Sequence, residues 1–237
     1  PKAFKKLEKA AFDGNAEAQH DLAALYSAGE NGVKQNFVKS AYWFEQAAQN
    51  GISNARYNLG VLYHQGLAVD QDYTQAIYWY NRAAELGHPE AQYNLGIAHI
   101  EGVGADYSPK LAVAYFRQAA QGGVSEAAYN LGLILENGLM GEPDVEEAVY
   151  WYARAKDMGN KPANAALEQL QRSAKLSRQQ VDNIMASYDA AYYEDDIRNI
   201  ETAVGTETSE AANVLESVDN RQNNQAVSNW QKLVSSI

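Results

Sequence analysis

Leu59, Leu95 and Leu131 stand 36 residues apart, and each is followed by glycine within the string Tyr-Asn-Leu-Gly. Gly51, Gly87, Gly123 and Gly159 keep the same interval, and so do Trp43, Trp79, Tyr115 and Trp151. Three independent markers on one period require stacked copies of a single supersecondary unit, because such a unit cannot bury its apolar faces alone. An earlier copy carries Leu22, Ala23 and Tyr26; its interval from Leu22 to Leu59 is 37, which places one extra residue in the loop at 30–33. Four copies are expected at about 15–51, 52–87, 88–123 and 124–159.

Within a copy, Ala55, Leu59 and Tyr63 recur at i+4 and mark one face of a first helix, helix A. Gly66 follows it as a C-cap, with Gly29, Gly102 and Gly138 as counterparts, since glycine enters the left-handed region without a Cβ penalty. After a loop holding Asp70 and Asp72, the stretch from Ala76 to Ala84 repeats the apolar spacing as helix B and stops at Gly87. Gly60, Gly96 and Gly132 fall inside helix A, where each costs about 1 kcal/mol against alanine. Close approach of a neighbouring helix backbone is the expected compensation. The predicted fold is all-α, an α/α superhelix (solenoid) of hairpins with a concave face made largely by one helix set.

These copies resemble the Sel1-like repeats, a tetratricopeptide-like family with the pattern Ala-x-x-Tyr-x-Leu-Gly-x-x-Tyr, a glycine-containing loop, Ala-x-x-Trp-Tyr and Ala-Ala-x-x-Gly. The second copy matches nearly throughout. The third has His99 at the second Tyr position and Tyr115-Phe116 at Trp-Tyr; the fourth has Leu135 and Lys156 for Tyr and Ala. The first has His20 for Tyr and Ala23 for Gly, yet keeps Trp43-Phe44 and Ala47-Ala48. Residues 1–14 read as the second helix of a preceding partial copy, and Ala163 to Leu167 as a final first helix, so the resemblance covers about 1–174.

What the resemblance implies is a protein-protein interaction scaffold or adaptor that is not an enzyme, with a partner protein or peptide on the concave face. Two alternatives stay open: a permanent structural subunit of a larger, envelope-type assembly, and a β-lactam-hydrolase-like enzyme. Relatives of the latter kind carry cysteine-paired helices, and this chain has no cysteine. The style of the copies points to a bacterial source, with a periplasmic or secreted location and a cytoplasmic alternative.

Composition narrows the partners. The net charge is −11, and 19 basic residues dispersed among 30 acidic ones form no phosphate-binding cluster, so nucleic acid is not expected. An anionic membrane would repel the chain, and no apolar run reaches the roughly 18 residues of a membrane span. Without cysteine there is no disulfide framework or thiolate metal site. The chain begins at Pro1, which reads as a processed or excised fragment and leaves the compartment open. His20, His64, His88 and His99 form no ligand motif, Glu194-Asp195-Asp196 lacks the alternate spacing of a calcium loop and reads as a helix start, and Gly102-Val103-Gly104 lacks a following Gly-Lys. No catalytic residue, metal or cofactor is therefore expected.

Two features carry the binding expectation. On helix A, Asn58 and Gln65, Asn94 and Glu101, and Asn130 and Asn137 share an angle away from the Ala-Leu-Tyr face and form a polar ladder able to grip a peptide backbone or a partner helix. On helix B, Tyr42, Tyr78 and Tyr150 precede the core aromatic pair and fall at the helix edge, where tyrosine makes a good interface anchor. From residue 175 to 237 the period is lost and acidic residues outnumber basic ones. Ser177 and Gln180 form a capping-box pattern opening a helix through Tyr188. Further short helices fit Ile197 to Val204, Val214 to Val218 and Val227 to Val234, either capping the repeats or ordering on a partner.

Overall fold

The structure, a computed structural model, describes residues 2–67 and 69–199, with side chains as far as Tyr192. The described residues form eleven helices and no strand: α1 (Lys2–Phe12), α2 (Ala16–Ala28), α3 (Phe37–Gln49), α4 (Ser53–Gln65), α5 (Tyr73–Glu85), α6 (Pro89–Glu101), α7 (Pro109–Gln121), α8 (Ser125–Glu136), α9 (Val145–Asp157), α10 (Lys161–Ser173) and α11 (Arg178–Asn199). The chain divides into two compact units, one of residues 1–98 and 103–106, the other of 99–102 and the residues from 107 onward.

In the first unit α1 packs on α2, α2 on α3, α3 on α4 and α4 on α5. Leu22, Ala23, Trp43, Phe44, Ala47, Ala55 and Leu59 form its buried core. Asn36 and Asp72 cap α3 and α5 by accepting the N–H three residues on, satisfying a donor that has no partner within the helix. Gly29 and Gly66 end α2 and α4 at φ 69° and 67°, as their sequence positions predict. The compensation for Gly60 differs from expectation. A Cβ there would meet the ring of Tyr80 at 2.7 Å, ahead of the backbone oxygen of Ala76 at 3.2 Å. The space is taken by the aromatic side chain of the same copy's helix B more than by a neighbouring backbone.

In the second unit α7 packs on α8, α8 on α9, and α9 on both α10 and α11. Gly132 repeats the glycine relation more tightly, its Cβ position lying 2.4 Å from the ring of the fully buried Tyr152. Asn160 caps α10, the terminal A-type helix. Ser177 and Gln180 form the reciprocal box: the Ser177 N–H donates to Gln180 Oε1 at 2.8 Å and the Gln180 N–H to Ser177 Oγ at 3.1 Å. The helix it opens runs well past Tyr188 to Asn199, so Ile197 belongs to the same helix and Glu194-Asp195-Asp196 lie in its interior and not at a helix start. Ile200, Ala203, Val204 and the segments around Val214 and Trp230 lie outside the described residues.

Candidate functional site

In the second unit a helix from beyond the four repeats, α11, lies on the last helix B, α9. Tyr150, expected at an exposed edge, is only 3% exposed, because α11 lies over it. Its hydroxyl donates to Asp189 Oδ1 at 2.7 Å, and its ring meets those of Tyr188 and Tyr192 at 5.4 and 5.5 Å. Arg154, one turn along α9, stands 3.8 Å from the same carboxylate oxygen. A tyrosine and an arginine four residues apart on one helix thus grip one acid.

Glu147 anchors the next turn of α11. It accepts from the Tyr192 hydroxyl, from Arg117 of α7 at 2.7 Å and from the Trp151 indole N–H at 3.3 Å. Burial pushes its carboxyl upward, but the Tyr192 hydroxyl and the Arg117 charge outweigh this and hold it below the usual glutamate value. Arg117 also lies over the Tyr192 ring at 5.7 Å. Burial raises the pKa of the Tyr192 phenol, which stays a donor at neutral pH. Sequence reasoning missed this cluster; its signal is the i, i+4 series Ile184, Tyr188, Tyr192, which meets the aromatic edge of α9.

The equivalent tyrosines of the first unit have no such cover. Tyr42 is 51% and Tyr78 48% exposed, each with its ring set edge-on to the following tryptophan at 5.0 and 5.1 Å. Arg82 stands to Tyr78 as Arg154 stands to Tyr150, and its guanidinium lies 5.5 Å over the Tyr78 ring. No acid among the described residues pairs with it.

The ladder residues divide. Asn130, expected to point outward, is 8% exposed and buried in α8, and Asn137 folds back to donate to the Leu133 carbonyl at 2.8 Å as the C-cap of that helix. Asn94 is half-buried and hydrogen-bonds Tyr57 and Tyr80, whose pKa values burial raises. Asn58 is half-buried, its amide 3.5 Å from His20 Nε2 on the helix A of the preceding copy. Glu101 is half-buried and Gln65 exposed. Several of these polar groups therefore sit where helix packs against helix.

The histidines have structural work. His88 is buried; its Nδ1 accepts the Ala91 N–H at 3.2 Å, its Nε2 meets Asn54 Oδ1 at 2.8 Å, and its ring stacks on Tyr57 at 4.5 Å. Burial lowers its pKa, so it acts as a neutral N-terminal cap. His99 stacks on Tyr115 at 5.7 Å, and His64 contacts Tyr73 and Tyr80. Among the described residues no three His, Cys, Asp or Glu side chains converge on a cation position, and no helix is long and apolar enough to cross a membrane.

Repeated two-helix units with an aromatic pair on helix B, one ring of which in the second and fourth copies fills the space left by a helix A glycine, define an α-helical repeat protein. The chain belongs to the Sel1 repeat family, whose profile matches residues 16–52, 53–88, 89–124 and 125–160. A Sel1 repeat protein from Oxalobacter formigenes superposes with a TM-score of 0.64 at 30% identity, covering 68% of this chain and 64% of its own. A protective antigen of uropathogenic Escherichia coli strains displaying an SLR fold superposes at 0.69 and 24% identity, covering 98% of this chain and 48% of its own. In sequence, the ERAD-associated E3 ubiquitin-protein ligase component HRD3B of Arabidopsis thaliana is 37% identical over 67 residues, which is 28% of this chain and 10% of that protein. The chain thus spans a small part of that relative and about two thirds or half of the two structural ones. The family is a protein-interaction solenoid fold.

Proposed function

We propose that this chain is a scaffold or adaptor that binds a partner protein or peptide through exposed repeat positions, and that it does not turn over a substrate. The observation that carries the reading is the exposure of Tyr42 and Tyr78, two large aromatics at one repeat position, on helices whose inner faces are fully packed. Tyrosine offers large contact area at little entropic cost, and a repeated anchor suits an extended ligand. The plant relative is a component of a ubiquitin ligase, which agrees with a role in holding proteins together.

Contact residues must be reachable. Tyr42, Tyr78 and Gln65 meet that condition, and Asn58, Asn94 and Glu101 offer part of their surface. Asn130 and Tyr150 serve the chain's own packing. The test is affinity capture with the native chain beside a Tyr42→Ser/Tyr78→Ser double variant. A partner retained by the first and lost by the second, with equal melting temperatures, supports the reading. Equal capture by both moves the site elsewhere, and a stable homo-oligomer on light scattering that binds nothing further would favour a structural subunit.

A further inference from the structure

We propose that the Tyr78–Arg82 face of α5 is a second helix-docking site, built as α9 is built for α11, and that an amphipathic helix of a partner protein occupies it. The inference rests on the binding reading above and adds the chemistry of the occupant.

Positions 78 and 150 are two periods apart, so Tyr78, Trp79 and Arg82 repeat Tyr150, Trp151 and Arg154. On α9 this set is filled: the Tyr150 hydroxyl and Arg154 converge on Asp189, with Tyr188 and Tyr192 laid against the Tyr150 ring. On α5 Tyr78 stands at the surface, and the half-buried Arg82 rests on the face of its ring. A donor pair separated by one helical turn selects a carboxylate on a helix running across it, and the exposed ring selects an aromatic beside that carboxylate.

The surroundings differ in charge, and this defines the partner. Gln75 stands where α9 has Glu147, and Glu45 of α3 where α7 has Arg117. Around α9 the next turn of the visiting helix is a phenol that donates to Glu147 beneath a cation. With an exposed acid at the α5 counterpart of Arg117, a basic side chain suits the corresponding position of a visiting helix better than Tyr192 does. The occupant is an amphipathic helix with an aromatic-acid pair on one turn and Lys or Arg on the next. The chain's own helix with this aromatic-acid pattern, α11, is seated on α9, and the occupant assigned to α5 is a helix of another protein.

The probe is a fluorescein-labelled peptide of residues 177–199, which keeps the Ser177–Gln180 box, with Tyr192→Arg to meet Glu45. Titrated into the full chain, it is expected to bind saturably and more tightly than the unchanged peptide. Affinity should fall about tenfold with Arg82→Glu, less with Arg82→Gln, and about tenfold with Asp189→Ala in the peptide, the loss of one charge-assisted contact. Absence of binding, indifference to both Arg82 substitutions, or tighter binding by the unchanged peptide with release of Tyr150 would overturn the proposal. So would an Arg82-dependent dimer of the chain alone in sedimentation, which would make a second copy the occupant. If the peptide fails while Tyr42→Ser/Tyr78→Ser still loses a captured partner, the docking chemistry is wrong and the binding function stands.

Discussion

Tyr78 on α5 and Tyr150 on α9 hold the same place in their copies, follow the same kind of residue and precede the same tryptophan. One is 48% exposed and the other 3%. The tryptophans behind them differ far less, at 9% and 2%. The repeat register fixes which side chains enter the hairpin core, because that core is made within the copy and its neighbour. It does not fix whether the outer ring is surface or interior. That is decided by a helix from outside the repeat, and in the second unit α11 supplies it through Asp189, Tyr188 and Tyr192.

The comparison is broken hardest by Tyr150→Ala. Removing a buried ring and its hydroxyl bond to Asp189 should cost about 3 kcal/mol, seen in denaturant unfolding, whereas Tyr78→Ala should stay within about 0.5 kcal/mol. Equal costs would mean that α11 does not cover α9 in solution.

Glu147→Gln comes next. It removes the negative charge that Arg117 pairs with and leaves Tyr192 and Trp151 a neutral amide oxygen in place of a carboxylate, for an expected loss of roughly 2 kcal/mol. The same contact predicts a pH dependence. The folded pKa of Glu147 lies below its unfolded value, so its stabilisation is complete above the ordinary glutamate pKa of about 4.3 and is lost as pH falls through the lower folded value. Native Tyr188 and Tyr192 fluorescence or NMR shifts should follow that acid limb, and Glu147→Gln should flatten it.

A comparable but purely steric effect is expected at the glycines. Gly132→Ala places a Cβ 2.4 Å from the Tyr152 ring and should destabilise by about 1–3 kcal/mol, with Gly60→Ala, at 2.7 Å from Tyr80, costing less. Thermal melts of the two variants give the order directly; a reversed order would show that the second unit's hairpin relaxes more readily than its geometry implies.

The hairpins, their glycine stops and the aromatic core were legible because each depends on spacing inside one copy. Leu59, Trp79 and Gly66 sit where their period puts them. The Ser177–Gln180 box was legible for the same reason, being a contact over three residues. The cover over α9 was not, because Tyr150 and Asp189 are 39 residues apart and α11 carries no repeat marker. The polar ladder misled in part: an angle measured from Ala55, Leu59 and Tyr63 ignores the next copy's helix, which brings Asn94 against Tyr57 and Tyr80, and in α8 Asn130 is buried outright. The acid run at 194–196 read as a helix start because its neighbours beyond Tyr188 looked discontinuous, while the backbone continues through them.

Tyrosine-selective acylation of the intact chain at neutral pH, followed by peptide mapping, tests the central claim most directly. Tyr42 and Tyr78 should react quickly and Tyr150 should resist, becoming reactive when Glu147→Gln loosens α11. Reaction of Tyr150 at the rate of Tyr78 in the native chain would contradict the account, since the two faces would then be equally open.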